Sequence, residues 1–206
     1  MTLIQSLSAF TLAATLLTLT PGLDTALVLR TAAAEGPKRA ALAGAGILLG
    51  CLAWGAAAAV GLGALLAASS LAFTALKWAG AAYLVWMGIN LLRKPRDSFE
   101  SETAPSVLGG GWLWRGLFTN LLNPKVGVFY VSFLPQFLVE GVPAGPYMFG
   151  LAAIHALLGA IWFAALIAAT QPISRALRRP AVVRWMDRTT GAVFIGFGLK
   201  LALARR

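Results

Sequence analysis

Thr20-Pro21-Gly22-Leu23-Asp24 interrupts an apolar run that otherwise extends from Leu7 to Leu29. A proline inside a helix withholds one backbone donor and crowds the preceding turn, and Gly22 beside it adds backbone freedom. The run is long enough for a membrane span, since one helix crosses on about 20 apolar residues. In lipid, the backbone groups that such a break frees must find partners or line a cavity. A lone membrane proline is ordinarily a simple kink. Here there is a second break, Leu122-Asn123-Pro124-Lys125, inside the apolar run Trp112–Leu138, and Pro21 and Pro124 lie 103 residues apart in a chain of 206.

Working outward from the two breaks, further apolar spans fall at roughly Ala43–Ala68, Leu71–Leu92, Tyr147–Thr170 and Thr189–Ala204. The same offset that joins the prolines maps the second span onto the fifth. The third and sixth correspond at an offset of 110, with Met87-Gly88-Ile89-Asn90-Leu91 set against Phe197-Gly198-Leu199-Lys200-Leu201. Three spans per unit is odd, so the second unit enters from the opposite face, which is the inverted repeat common in transporters. The expected fold is therefore an all-α integral membrane protein. Its six transmembrane helices form a 3+3 inverted repeat, with spans 1 and 4 broken at Pro21-Gly22 and Asn123-Pro124. One transporter domain fills residues 1–206: repeat 1 over about 1–92, a cytoplasmic linker over about 93–111, and repeat 2 over about 112–206.

Composition agrees with a life in the bilayer. Only 12% of the residues are charged and 59% are hydrophobic, against about 25% charged in soluble domains. The mean hydropathy is +0.78. From Ala40 to Leu76 there is no charge at all. The net charge of +10 reports topology rather than a nucleic-acid partner. With loops numbered alternately, one side receives Arg30, Lys38, Arg39, Arg93, Lys94, Arg96, Arg115, Arg175, Arg178, Arg179, Arg184 and Arg188, and the other only Arg205 and Arg206. Cytoplasmic loops carry the Lys and Arg excess, which puts both termini outside a bacterial inner membrane. Lys77, Lys125 and Lys200 remain inside spans. No basic stretch precedes the first apolar run, so a cleaved signal peptide is not expected. The sixth span, 16 residues by this reading, is short; if it fails to cross, the C-terminus moves inside. Loop 5–6, with Arg175 to Arg188 interleaved with Ile173, Leu177, Val182 and Trp185, reads either as an interfacial segment or as an irregular basic loop.

The chemistry concentrates at the breaks. Asp24 follows the first and Lys125 the second, and ionisable groups inside spans mark pathways or pairs. Four readings stand: Asp24 and Lys125 bind the ammonium and carboxylate of a zwitterion; Asp24 carries the coupled proton; the two neutralise each other across the repeat interface; or Asp24 is solvated among the headgroups. Asn120 and Asn123, three residues apart, share a helix face that suits a polar cavity. Gln136 belongs to the same span, toward its outer end. Thr20 supports freed carbonyls or faces substrate. His155, the only histidine, is a proton carrier or a neutral group hydrogen-bonded between helices. The candidate substrate-binding or coupling set is Thr20, Pro21, Gly22, Asp24, Asn120, Asn123, Pro124, Lys125 and His155. Lys77 and Asn90 read as interfacial. Gly46, Gly50, Ala53, Ala57 and Gly61 permit close packing along the second span, within the monomer or across a homo-oligomer. The single Cys51 reads as a small apolar residue.

Three stretches together resemble the lysine-exporter (LysE) superfamily, in its RhtB-type branch of homoserine, threonine and leucine exporters. They are Thr20-Pro21-Gly22-Leu23-Asp24, then Leu76-Lys77-Trp78-Ala79-Gly80-Ala81-Ala82-Tyr83-Leu84. The third is Asn120-Leu121-Leu122-Asn123-Pro124-Lys125 with Phe129-Tyr130-Val131-Ser132-Phe133 and Pro135-Gln136-Phe137. The resemblance covers essentially the whole chain. It implies export of amino acids from the cytoplasm in exchange for protons, and does not fix the substrate. The expected function is a secondary-active exporter of neutral or hydroxylated amino acids, with no cofactor. The family's first motif often reads Pro-Gly-Pro before the Asp or Asn; Leu23 stands at the second proline here, which makes for a less rigid break. His155 has no counterpart in that pattern.

Other functions fit the residues less well. Export of a metal ion would want several oxygen or thiolate ligands, and the spans hold few. A membrane-embedded enzyme needs a clustered nucleophile, base or metal. A scaffold does not account for two breaks at matched positions. No nucleotide-binding Gly-rich loop with Lys-Ser or Lys-Thr is present, so an ion gradient is the expected energy source.

Overall fold

The computed structural model describes residues 2–20, 22–68, 70–95, 111–170 and 179–203. Pro21 lies outside them, as do Arg96, Arg175, Arg178, Arg205, Arg206 and the side chains of Lys77 and Lys200. Every regular element among the described residues is helical. In chain order these are α1 (Leu3–Leu19), α2 (Leu23–Glu35), α3 (Pro37–Ala68), α4 (Ser70–Arg93), α5 (Trp112–Leu121) and α6 (Pro124–Val128). Then come a π turn (Phe129–Phe133), a 3-10 turn (Leu134–Phe137), α7 (Ala144–Ala168) and α8 (Pro180–Leu203).

Local chemistry sets the helix ends. Thr2 and Gln5 form a reciprocal capping box at the start of α1, which satisfies two otherwise orphaned donors. Helix α2 stops at Gly36, whose φ of 89° lies in the left-handed region that favours glycine. Pro37 then opens α3 at the first helical position, where its missing N–H costs nothing. An ion pair between Arg39 and Glu35 staples that turn. Past α6, Pro135 has no N–H for the Val131 carbonyl, and the chain widens into the π turn before tightening into 3-10 geometry. Gln136 donates from Nε2 to the Ser132 carbonyl at 3.2 Å.

Two helical stretches, Pro37–Gly61 and Ala144–Ala168, are each long and apolar enough to cross a bilayer. The bent pair α1–α2, meeting at 50°, makes a third if counted as one span. The bend lies between the end of α1 at Leu19 and the start of α2 at Leu23, where the sequence reading put the first break. The second break also falls where expected: α5 ends at Leu121 and α6 begins at Pro124.

The last helix differs from the sequence reading. It has 24 residues, from Pro180 to Leu203, and so measures about 36 Å at 1.5 Å per residue. The expected Thr189–Ala204 covered only its later part. Arg184 and Arg188 stood in a stretch read as an interfacial segment or an irregular basic loop, but Val183, Asp187, Thr190 and Phe194 are all buried and recur at helical spacing. The first two turns are a helix with one inward face.

Glycine brings these helices into backbone contact, as small residues do in membranes. Helix α3 crosses α5 so closely that a Cβ on Gly46 would strike the Leu113 carbonyl, and one on Gly116 the Ala43 carbonyl. On α4 and α8, Gly88 and Gly191 face each other in the same way. Gly46 and Gly50 thus pack within the chain, whereas Ala53 and Ala57 are exposed and Gly61 has nothing within 4 Å of its missing Cβ. The core forms two apolar clusters. One gathers Phe10, Leu17, Tyr130, Phe133 and Met148, and the other Val28, Ile47, Leu166 and Val183. The polar residues of the breaks lie between them.

Candidate functional site

The two breaks meet. Asp24, in the first turn of α2, lies where a helix N-terminus favours negative charge. Asn120, at the end of α5, donates from Nδ2 to Asp24 Oδ2 at 2.8 Å, and Asn123, between α5 and α6, donates to Oδ1 at 3.4 Å. Asn123 also caps α6, accepting from the Lys125 backbone N–H at 3.1 Å. Asn120 is fully buried and reaches Asp24 because Gly50 leaves a notch: a Cβ there would sit 2.8 Å from the Asn120 Cβ. The same Asn120 amide approaches Cys51 Sγ at 3.5 Å.

Lys125 crosses in the opposite direction. Its Nζ donates to the carbonyls of Thr20 at 3.0 Å and Leu17 at 3.3 Å. Those carbonyls belong to the last turn of α1, where a helix leaves acceptors unsatisfied and favours positive charge. Lys125 therefore closes the broken end of α1 while the Asp24 carboxyl group sits at the start of α2. Gly22 lies against this ammonium, with its absent Cβ 3.6 Å from Nζ. Thr20 donates its hydroxyl back to the Leu16 carbonyl at 2.7 Å, and its Oγ1 is 3.1 Å from Thr190 Oγ1 on α8.

His155 is buried on α7 and its Nδ1 shares a 2.9 Å hydrogen bond with the Tyr130 hydroxyl, between Phe129 and Tyr130 rings at 5.2 and 5.6 Å. It tethers α7 to the π turn.

Two cavities adjoin these groups. The first, of about 50 Å³, is lined by Thr18, Asp24, Cys51 and His155 together with Thr20, Gly22, Asn123 and Lys125. The second, of about 190 Å³, shares those last four and adds Leu23, Met87, Leu91, Pro124, Thr190 and Phe194. Of the candidate residues, Thr20, Gly22, Asp24, Asn120, Asn123, Pro124, Lys125 and His155 thus gather at one place; Pro21 lies outside the described residues. Asn90, expected to be interfacial, is exposed on α4. Sequence reasoning passed over Thr18, Tyr130, Met87, Thr190 and Phe194. Tyr130 had a signal in the quoted Phe129–Phe133 motif, and Met87 in the stretch that matches the third span to the sixth. Among the described residues no three His, Cys, Asp or Glu side chains gather as a metal site.

Buried polar groups, hydrogen-bonded to one another, thus stand at the crossing of two broken helices, where polar side chains inside a membrane protein are costly and seldom without a role. Comparison with known proteins decides the family: LysE type translocators match residues 15–205. The chain belongs to this family. Among similar LysE-type proteins is the homoserine/homoserine lactone efflux protein of Salmonella typhi, 32% identical over 198 residues, 96% of each chain. The threonine efflux protein of Escherichia coli K12 is 32% identical over 193 residues, 91% of this chain and 92% of its own. A membrane protein of Vibrio cholerae is 32% identical over 197 residues, 96% of each chain. No solved structure matches. As a translocator of this family, the protein is a membrane transporter with helices apolar enough to span.

Proposed function

We propose that this LysE-type translocator exports neutral or hydroxylated amino acids from the cytoplasm in exchange for protons. The observation that carries the reading is the convergence of Asp24, Asn120, Asn123 and Lys125 where the two broken helices cross. A zwitterion needs an anion for its ammonium and a cation for its carboxylate, held a short distance apart. Asp24 and Lys125 supply them, each already set by hydrogen bonds to neutral groups. The ammonium displaces the Asn amides from Asp24, and the carboxylate competes with the α1 carbonyls for Lys125. On release, a proton takes the ammonium's place on Asp24 and returns inward. Two relatives whose names specify efflux of threonine and of homoserine or its lactone support the substrate class.

The architecture that goes with this reading is six spans in two inverted three-helix repeats, in the bacterial inner membrane, with both termini outside. Packing supports it. Helix α5 lies on α3 as α1 lies on α7, while α3–α7 and α4–α8 are the pairs that a two-fold axis would map onto themselves. Large apolar side chains such as Leu12, Leu49, Leu71, Trp86, Leu157 and Leu199 face outward, as lipid contact demands.

A second reading is favoured by one observation. Lys125 satisfies two backbone carbonyls of α1, and by that account it holds the break together without touching substrate. A screen of all twenty amino acids, supplied as dipeptides to cells producing the protein, separates these possibilities from a non-transporting role. We expect excretion of a small subset, at least about tenfold above vector cells, and collapse of that excretion when the proton gradient is dissipated. Excretion of none of the twenty would sink the proposal.

A further inference from the structure

We propose that the protein is closed at the end where α1 and α7 begin, and that a hydrogen-bond latch from Tyr147 to Ser6 to the Phe137 carbonyl holds this outer gate shut. The proposal rests on the topology given for the export reading, which puts that end outside. Both cavities lie on one side of the break crossing. Along α1 and α2 their lining begins at Leu17 and ends at Thr25; along α7 it begins at His155 and ends at Phe163; on α4 it is Met87 and Leu91. Phe163 in turn lies against Gly44, near the start of α3. All of these runs lead toward the end that carries Arg30, Lys38, Arg39, Arg93 and Lys94, which the excess of basic residues assigns to the cytoplasm.

The other side of the crossing is filled. About 10 Å before Leu17 along α1, Phe10 meets Phe137 at 5.3 Å and Phe129 at 6.1 Å. Phe133 joins them, 5.1 Å from Phe129 and 4.9 Å from Phe137. All four rings are buried. A polar solute does not cross such an apolar plug unless the rings part. Phe129 and Phe133 ride on the π turn and Phe137 on the 3-10 turn, irregular backbone of the kind found at hinges. Beyond the plug, Tyr147 of α7 donates its hydroxyl to Ser6 Oγ at 2.7 Å, and Ser6, fully buried on α1, donates its own to the Phe137 carbonyl. One hydroxyl, as donor and acceptor, thus joins α1, the 3-10 turn and α7. Tyr147 stands about 12 Å along α7 from His155, so the latch is remote from the charged groups. Opening outward parts α1 from α7 and from the 3-10 turn, and breaks both bonds.

Ala14, buried on α1 between Phe10 and Leu17, reports whether the plug has opened. The full-length protein with Ala14→Cys is treated in spheroplasts with a membrane-impermeant maleimide from outside. The same protein without that substitution, holding only the buried Cys51, gives the background for each latch variant. We expect slow labelling while the latch is intact. Tyr147→Phe removes one bond and should speed labelling about two- to tenfold, the range for a single hydrogen bond. Ser6→Ala removes both and should speed it further. Each variant deletes one hydroxyl and keeps the rest of the side chain, and its amount in the membrane checks that it folds. In inverted vesicles neither should label faster from the cytoplasmic face. A rise there as well would mean general loosening and overturns the gate. Unchanged outside labelling in both variants also overturns it, as does rapid labelling of Ala14→Cys with the latch intact. The measurement needs no transported amino acid. A protein that excretes none of the twenty yet shows faster outside labelling loses the export reading and keeps the gate.

Discussion

Asp24→Asn is expected to reduce amino-acid export at least about tenfold while the protein still reaches the membrane. Charge-assisted hydrogen bonds contribute about 1.5–3 kcal/mol, which converts to roughly 10- to 150-fold in affinity at 1.4 kcal/mol per decade. The substitution keeps the size of the side chain and removes only the charge. It also sets one amide against two others. The Asp24 carboxylate accepts from both Asn120 and Asn123, whereas an amide at this position accepts from one and presents a donor to the other. The cost is about 1–3 kcal/mol for the unpaired group, so the variant folds with a lower melting temperature. Export rate divided by membrane-resident protein is the measurement. A normal rate per molecule would leave Asp24 with a structural role only.

Gly116→Leu has the larger effect on the fold itself. The Cβ it adds falls on the Ala43 carbonyl of α3, and backbone cannot move aside as a side-chain tip can. The two helices must separate, which withdraws Asn120 from the Gly50 notch and from Asp24 together. Overpacking costs typically about 1–3 kcal/mol and more where backbone is struck, so we expect failure to accumulate in the membrane and loss of export. Gly61→Leu is the control. It lies on the same helix α3 with nothing within 4 Å, and should match wild type in fluorescence-detected thermal stability. Equal stability of the Gly116 and Gly61 variants would contradict the close crossing.

Both breaks were legible because proline and charge stand out against an apolar chain. Asp24, Asn123 and Lys125 could be read as neighbours for the same reason: matched positions in two repeats implied a meeting point. What Lys125 does there was not legible. A freed carbonyl has no letter in the sequence, so its bonds to Leu17 and Thr20 appear only once α1 and α6 are placed. The pocket residues Met87, Leu91 and Phe194 were hidden by lack of contrast, since apolar side chains in apolar helices do not announce which way they face. The start of α8 was placed too late, at Thr189 instead of Pro180, for the opposite reason. Arg184, Asp187 and Arg188 gave a charged look to a segment whose buried face is set by Val183 and Thr190. The Tyr130–His155 bond joins the π turn to α7, a pairing that no spacing rule reaches.

The central claim is that the crossing of the two breaks recognises both charges of an amino acid, and blocking each charge in turn tests it directly. In counterflow on wild-type proteoliposomes, free threonine, N-acetylthreonine and threonine methyl ester compete against labelled threonine. The account predicts that free threonine competes and that both blocked forms compete at least about tenfold more weakly, each lacking one of the two partners that Asp24 and Lys125 hold. Equal competition by either blocked form would contradict it.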